Sequence, residues 1–226
     1  MSKIDAYGFR WRGQEITRLE QFSDAVFAFA LALLVVSTEL PKSMDGLYET
    51  LRGFPAFGAT FAVQVWFWYL HYQYFRRYGL VNPVTIFLNG ALLFLILFYV
   101  YPLRYLFGAL FGAMFGAPWA FELEDGSRLL GIYSAGFIAV FALFALLHRH
   151  ALAHAAELAL NKRELDVTQT SLRACLWIAA IGVLSATVAF TAPGWMTPWA
   201  GMLYSLIGVV MWWQWSRFAK RWEGQS

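Results

Sequence analysis

Two ionisable side chains sit where water should be scarce. Asp24 lies about one turn inside an apolar run that opens Arg18-Leu-Glu-Gln-Phe22-Ser23-Asp24 and continues to Val36, and His71 ends the segment Trp66-Phe-Trp68-Tyr-Leu-His71. A charge inside a spanning helix costs about 3 kcal/mol on insertion scales, so Asp24 should face protein or water and have a partner. A carboxylate and an imidazole are the usual intramembrane proton carriers, and Asp24 with His71 could form such a relay. The favoured reading is a packed hydrogen-bond network, which is the less costly use of an intramembrane carboxylate in a helix bundle. A third group, His150, His154 and Glu157, falls on one helical face at a spacing that could bind a divalent metal. Three ligands on one surface helix without a fourth are more often a solvated or headgroup-facing stripe, so no metal is expected. Catalytic signatures are absent: there is no Gly-x-Ser-x-Gly, no His-Glu-x-x-His, no phosphate loop and no carboxylate pair inside the apolar runs. An enzyme is not expected, and no cofactor is implied.

The elements that position these groups are membrane spans. The chain has 226 residues, of which 60% are hydrophobic and 14% charged, with mean hydropathy +0.52, too apolar for an ordinary soluble domain. It reads as a single all-α integral membrane domain, 1–226, with transmembrane helices at about 16–40, 55–75, 83–107, 129–147, 172–190 and 199–216. Pro41 should end the first, Pro55 opens the second, and Asn82-Pro83 supplies a cap and first turn for the third. Residues 1–15 read as an interfacial arm, 42–53 and 161–166 as polar connections. The run Gly108, Gly112, Gly116 is either a helical groove for close backbone approach or an interfacial loop. Cys175 is the single cysteine, read as a small buried hydrophobe.

With the amino terminus inside, the inner segments hold thirteen basic residues (Lys3, Arg10, Arg12, Arg18, Arg76, Arg77, Arg149, Lys162, Arg163, Arg173, Arg217, Lys220, Arg221) against Lys42, Arg52, Arg104 and Arg128 outside. That bias places both termini in the cytoplasm, with the protein in the plasma or inner membrane, and leaves no nucleic-acid footprint. On a helical wheel Asp24, Ala28, Leu31 and Val35 share one face of the first helix, while Phe22, Phe29, Leu33 and Val36 share the opposite one. The polar face could dock Asp24 and Ser23 on neighbouring helices. The bulky face could meet lipid, another subunit or a pore.

Arg18-x-x-x-Phe22-Ser23-Asp24 at the head of a first spanning helix resembles the signature of the transmembrane protein 175 family of potassium channels. His71, Asn89 and Pro102 extend the resemblance, while the last two spans are similar mainly in hydropathy. It implies a six-helix subunit that assembles with itself as a homotetramer in the lipid bilayer, first helices lining a pore for potassium or other monovalent cations. No Thr-Val-Gly-Tyr-Gly loop is present, so the implied gate consists of apolar rings at Phe29, Ala32, Leu33 and Val36, acting by dewetting. Where the family commonly has a branched aliphatic residue and often a Thr, this chain has Phe29 and Ala32. Four Phe side chains would make a tighter, more hydrophobic neck without a lining hydroxyl. A proton-conducting channel or proton-coupled transporter using Asp24 and His71 is the alternative.

Overall fold

The computed structural model describes residues 4–36, 41–115, 123–191 and 197–223. Among them the regular structure is helical, with a lone antiparallel bridge between Ile4 and Arg10. Helix α1 is Arg18–Val36, α2 Met44–Arg52, α3 Phe54–Tyr78, α4 Pro83–Phe115, α5 Leu123–Ala153, α6 Lys162–Thr191, α7 Thr197–Met202 and α8 Leu206–Trp222, with a 3₁₀ turn, Leu203–Ser205, between the last two.

Four of the starts have a local cause. Thr17 and Glu20 form a capping box at α1: the Glu20 carboxylate accepts the Thr17 N–H at 3.0 Å, and the Glu20 N–H donates to the Thr17 hydroxyl at 3.2 Å. The same device opens α6, where Asn161 Oδ1 accepts the Glu164 N–H at 2.8 Å and Glu164 Oε2 accepts the Asn161 N–H at 2.9 Å. Asn82 Oδ1 accepts the Thr85 N–H at the head of α4, and Pro55 lies in the first turn of α3. Helix α3 ends at Gly79, whose φ of +60° is left-handed and whose N–H reaches back to the Phe75 carbonyl.

The helices pack in two groups. Helices α1, α3 and α4 contact one another; α6 packs against α5, α7 and α8; and α4 lies on α5 to join the groups. The seam is aromatic and tight. Tyr99 on α4 donates its hydroxyl to the Tyr133 carbonyl at 2.7 Å, and a Cβ on Gly136 would meet the Tyr99 ring at 2.4 Å. Any larger residue at position 136 would push α4 off α5. Phe67, Phe137, Phe141 and Phe144 fill the space around that contact.

Helices α1, α4, α5 and α6 are long and apolar enough to cross a membrane. Helix α3 has 25 residues but carries Gln64, His71, Arg76 and Arg77, and α8 has 17. Several expected boundaries shift. Residues 42–53 contain α2, and 162–166 belong to α6 because the capping box at Asn161 starts the helix before its apolar part. Helix α4 continues through Gly108 and Gly112, so the loop reading of that stretch is corrected as far as Phe115. A Cβ at Gly108 would meet nothing within 4 Å, so among the described residues no other helix approaches it closely. Helix α5 stops at Ala153 and residues 154–159 form turns, so Glu157 does not continue the helical face of His150 and His154. The expected ends at 37–40, the turn at 193–194 and Gly116 lie outside the described residues.

Candidate functional site on the first helix

Helix α1 presents three faces. Glu20, Ser23, Phe27, Ala30 and Leu34, spaced three and four apart, are buried against α3 and α4. On the far side Phe22, Ala25, Phe29, Ala32 and Val36 form a continuous exposed stripe, with Phe22 61%, Phe29 57% and Val36 77% accessible. Leu33 is half-buried at its edge. Between these faces run Asp24, Ala28 and Val35, also exposed. Docking therefore uses the Ser23 face, not the Asp24 face, and Asp24 and Ser23 do not point together.

The docked face is anchored by a directed chain of hydrogen bonds. Asn89 Oδ1 can only accept, so His71 presents Nε2–H to it at 2.8 Å. The Asn89 amide donates to Ser23 Oγ at 2.9 Å, and Ser23 donates to the Leu19 carbonyl at 2.8 Å. All three side chains are buried. The chain terminates in a backbone carbonyl, so it fixes α1 to α3 and α4 without continuing to another titratable group. Asp24 is served separately: Trp68 on α3 donates its indole N–H to Asp24 Oδ1 at 2.9 Å. An indole is a donor only and cannot relay a proton. The two candidate relay groups therefore sit on separate networks, and Trp68 is the partner that sequence reading missed.

Both ends of α1 are also held. At its carboxy-terminal end Arg104 of α4 donates to the Leu34 carbonyl at 3.0 Å, one of the carbonyls left open by the helix terminus. At its amino-terminal end Glu20 pairs with Arg76 of α3, and both are nearly buried. Arg18, first residue of the motif, is exposed and makes no ion pair among the described residues.

The residues before α1 form a clasp around this end. Asp5 Oδ1 accepts the N–H groups of Tyr7 and Phe9, closing a turn that needs left-handed Gly8 (φ +80°), and Phe9 is fully buried. Gly13 lies so close to α3 that a Cβ would meet the Phe75 carbonyl oxygen at 2.4 Å. Asp5 binds Arg77 at 2.9 Å, while Arg10 and Arg12 reach Glu164 of α6 at 2.9 and 2.8 Å. The Glu164 hydrogen bond raises the Arg10 guanidinium above its ordinary value, and burial raises the Tyr7 phenol. One short segment thus joins the start of α1, the end of α3 and the start of α6.

His150 and His154 stand apart from all this. His150 Nε2 meets Asn82 Oδ1 at 3.0 Å and His154 Nδ1 meets the His150 carbonyl at 3.0 Å. Both rings have protein partners, and the described residues hold no group of three side chains able to ligate a metal.

A family model described as the endosomal/lysosomal potassium channel TMEM175 matches residues 18–99, a span that contains Arg18, Phe22, Ser23, Asp24, Trp68, His71 and Asn89. The similarity continues beyond it: a potassium channel of Marivirga tractuosa is 35% identical over 218 residues, covering 90% of this chain and 87% of the relative. The chain belongs to the TMEM175 family. Among solved structures, a variant of the potassium channel MtTMEM175 bound to a nanobody–MBP fusion superposes with a TM-score of 0.83 at 33% identity, covering 97% of this chain and 100% of the other. A lysosomal potassium-selective TMEM175 homolog from Chamaesiphon minutus shares the fold, with a TM-score of 0.61 at 22% identity over 87% of this chain and 96% of the other. In this member of the TMEM175 family the matched region is the part organised around α1, from its motif through the Asn89 anchor. Helices α5 to α8 lie outside the family model but within the full-length relative.

Proposed function

We propose that this chain is a potassium-preferring cation channel in which four copies assemble around a central path lined by the exposed stripe of α1. The observation that carries the reading is the contrast between the two sides of that helix. One side is locked to α3 and α4 through Ser23, Asn89 and His71, and the other offers Phe22, Phe29, Ala32 and Val36 to nothing in its own subunit. A single subunit encloses no central path, so the stripe must be covered by lipid or by other copies. A helix pinned this firmly at both ends is suited to hold side-chain rings at a set radius, which a lipid-facing helix does not need.

Phe29 and Ala32, with Leu33 at the stripe's edge and Val36 beyond, form the constriction. A narrow apolar neck resists entry of a hydrated ion by dewetting, so no backbone-carbonyl filter is required. The six-span topology places α3 and the α7–α8 pair across the bilayer with the four more apolar helices. The positive-inside bias puts the clasp and both termini in the cytoplasm, since Arg10, Arg12, Arg76, Arg77 and Arg163 gather at one end.

Purified protein reconstituted in liposomes should dissipate a potassium gradient in the absence of a proton gradient. Proton flux without potassium flux would overturn this reading in favour of a proton pathway.

A further inference from the structure

The flank formed by α6 and α8 carries a groove of about 360 Å³ that the account of α1 does not use. Its lining includes Arg173, Trp177, Trp213, Gln214, Arg217 and Lys220. Arg221 also borders it but is committed to Asp166 at 2.9 Å. Arg217 lies over the Trp213 ring, 4.8 Å from its centroid. Arg173 and Lys220 are exposed and have no acidic partner among the described residues. Gln214 is 7% accessible, and among the described residues no hydrogen bond engages its amide. Three cations and an unpaired amide therefore line the groove without an anion to meet them.

We propose that this groove binds the phosphate headgroup of an anionic phospholipid. Arg and Lys supply the charge-assisted donors that phosphate oxygens require, and the Gln214 amide adds a neutral donor from the groove floor. A lipid is favoured over free phosphate by what lies beside the cations. Trp177 and Trp213 are half-exposed, as aromatic side chains are at a membrane interface. An adjoining depression lined by Arg173, Leu176 and Trp177 is apolar and offers an acyl chain a place next to the headgroup. Basic pockets between spanning helices on the cytoplasmic side are where anionic headgroups bind, and the positive-inside bias puts this groove on that side. The groove is built by α6 and α8, whereas α1 packs on α3 and α4, so occupancy does not depend on how α1 is covered.

The test uses delipidated full-length protein in detergent, titrated separately with phosphatidylglycerol, phosphatidylcholine and inorganic phosphate, and read by thermal shift and native mass spectrometry. Phosphatidylglycerol should raise Tm and stay bound, while the other two should do neither. Arg173→Gln and Lys220→Gln should each weaken phosphatidylglycerol retention roughly fivefold, and Arg52→Gln, on α2 at the opposite end, should not. Equal retention of the two lipids would overturn the proposal, as would an equal shift with inorganic phosphate or undiminished retention in both groove variants. The lipid comparison on the unmodified protein decides the matter even where a variant folds poorly.

Discussion

Asp24 earns its place in the motif through Trp68. The carboxylate is exposed within its own subunit, and what holds it is an indole N–H from the neighbouring helix at 2.9 Å. Asp24→Ala should therefore take the acceptor from Trp68 and lower the thermal stability of the assembled protein by about 0.5–1.5 kcal/mol, since the bond is exposed and water can serve the indole N–H. Asp24→Asn keeps an acceptor oxygen and should recover most of that loss. Thermal unfolding of both variants beside the parent protein checks the pair, and equal destabilisation by Ala and Asn would show that the negative charge itself is what matters. Ser23, His71 and Asn89 stand out in the sequence because few polar side chains occur in apolar runs; Ser23 meets Asn89 and Asn89 meets His71, whereas Asp24, expected to dock beside Ser23, meets Trp68. Trp68 was not, because an indole in a cluster of aromatics reads as an interfacial anchor, and its donor role depends on the rotation of α3 against α1. Glu20 was overlooked for another reason: its capping box with Thr17 is spelled in the sequence but sits at the edge of an apolar run that draws attention inward.

Among elements, hydropathy located the apolar cores of the long helices, and several helices run beyond the expected spans. A membrane span stops being apolar at the interface while its helix continues, so the first turn of α6 lies among polar residues that looked like a connection. The capping pairs Thr17/Glu20 and Asn161/Glu164 mark the true starts. They also explain how the arm before α1 is held, because Glu164 both caps α6 and receives Arg10 and Arg12. Glu164→Ala removes that anchor and leaves two guanidinium groups without their carboxylate. The expected outcome is faster tryptic cleavage after Arg10 and Arg12 in the folded protein, with cleavage elsewhere little changed. Cleavage rates equal to those of the parent would mean that Asp5, Phe9 and Gly13 hold the arm unaided.

For the molecule as a whole, family membership was legible from a seven-residue motif, two of whose members, Ser23 and Asp24, bind side chains of α4 and α3. Which surface of α1 faces outward was not, since periodicity offered two faces and packing selected a third, the Ser23 side, for burial. That selection leaves the Phe22 to Val36 stripe open and sets the assembly prediction: the detergent-solubilised protein should have about four times the 25.7 kDa mass of one chain by light scattering corrected for detergent. A monomer or dimer would contradict it. The central claim, that this stripe forms the constriction, is tested most directly by potassium flux through reconstituted Phe29→Ala protein, with Phe27→Asn as a control on the buried face. The account predicts that Phe29→Ala assembles normally and raises basal flux by widening the apolar neck, whereas Phe27→Asn lowers yield without opening a path. Unchanged flux from normally assembled Phe29→Ala protein would contradict it.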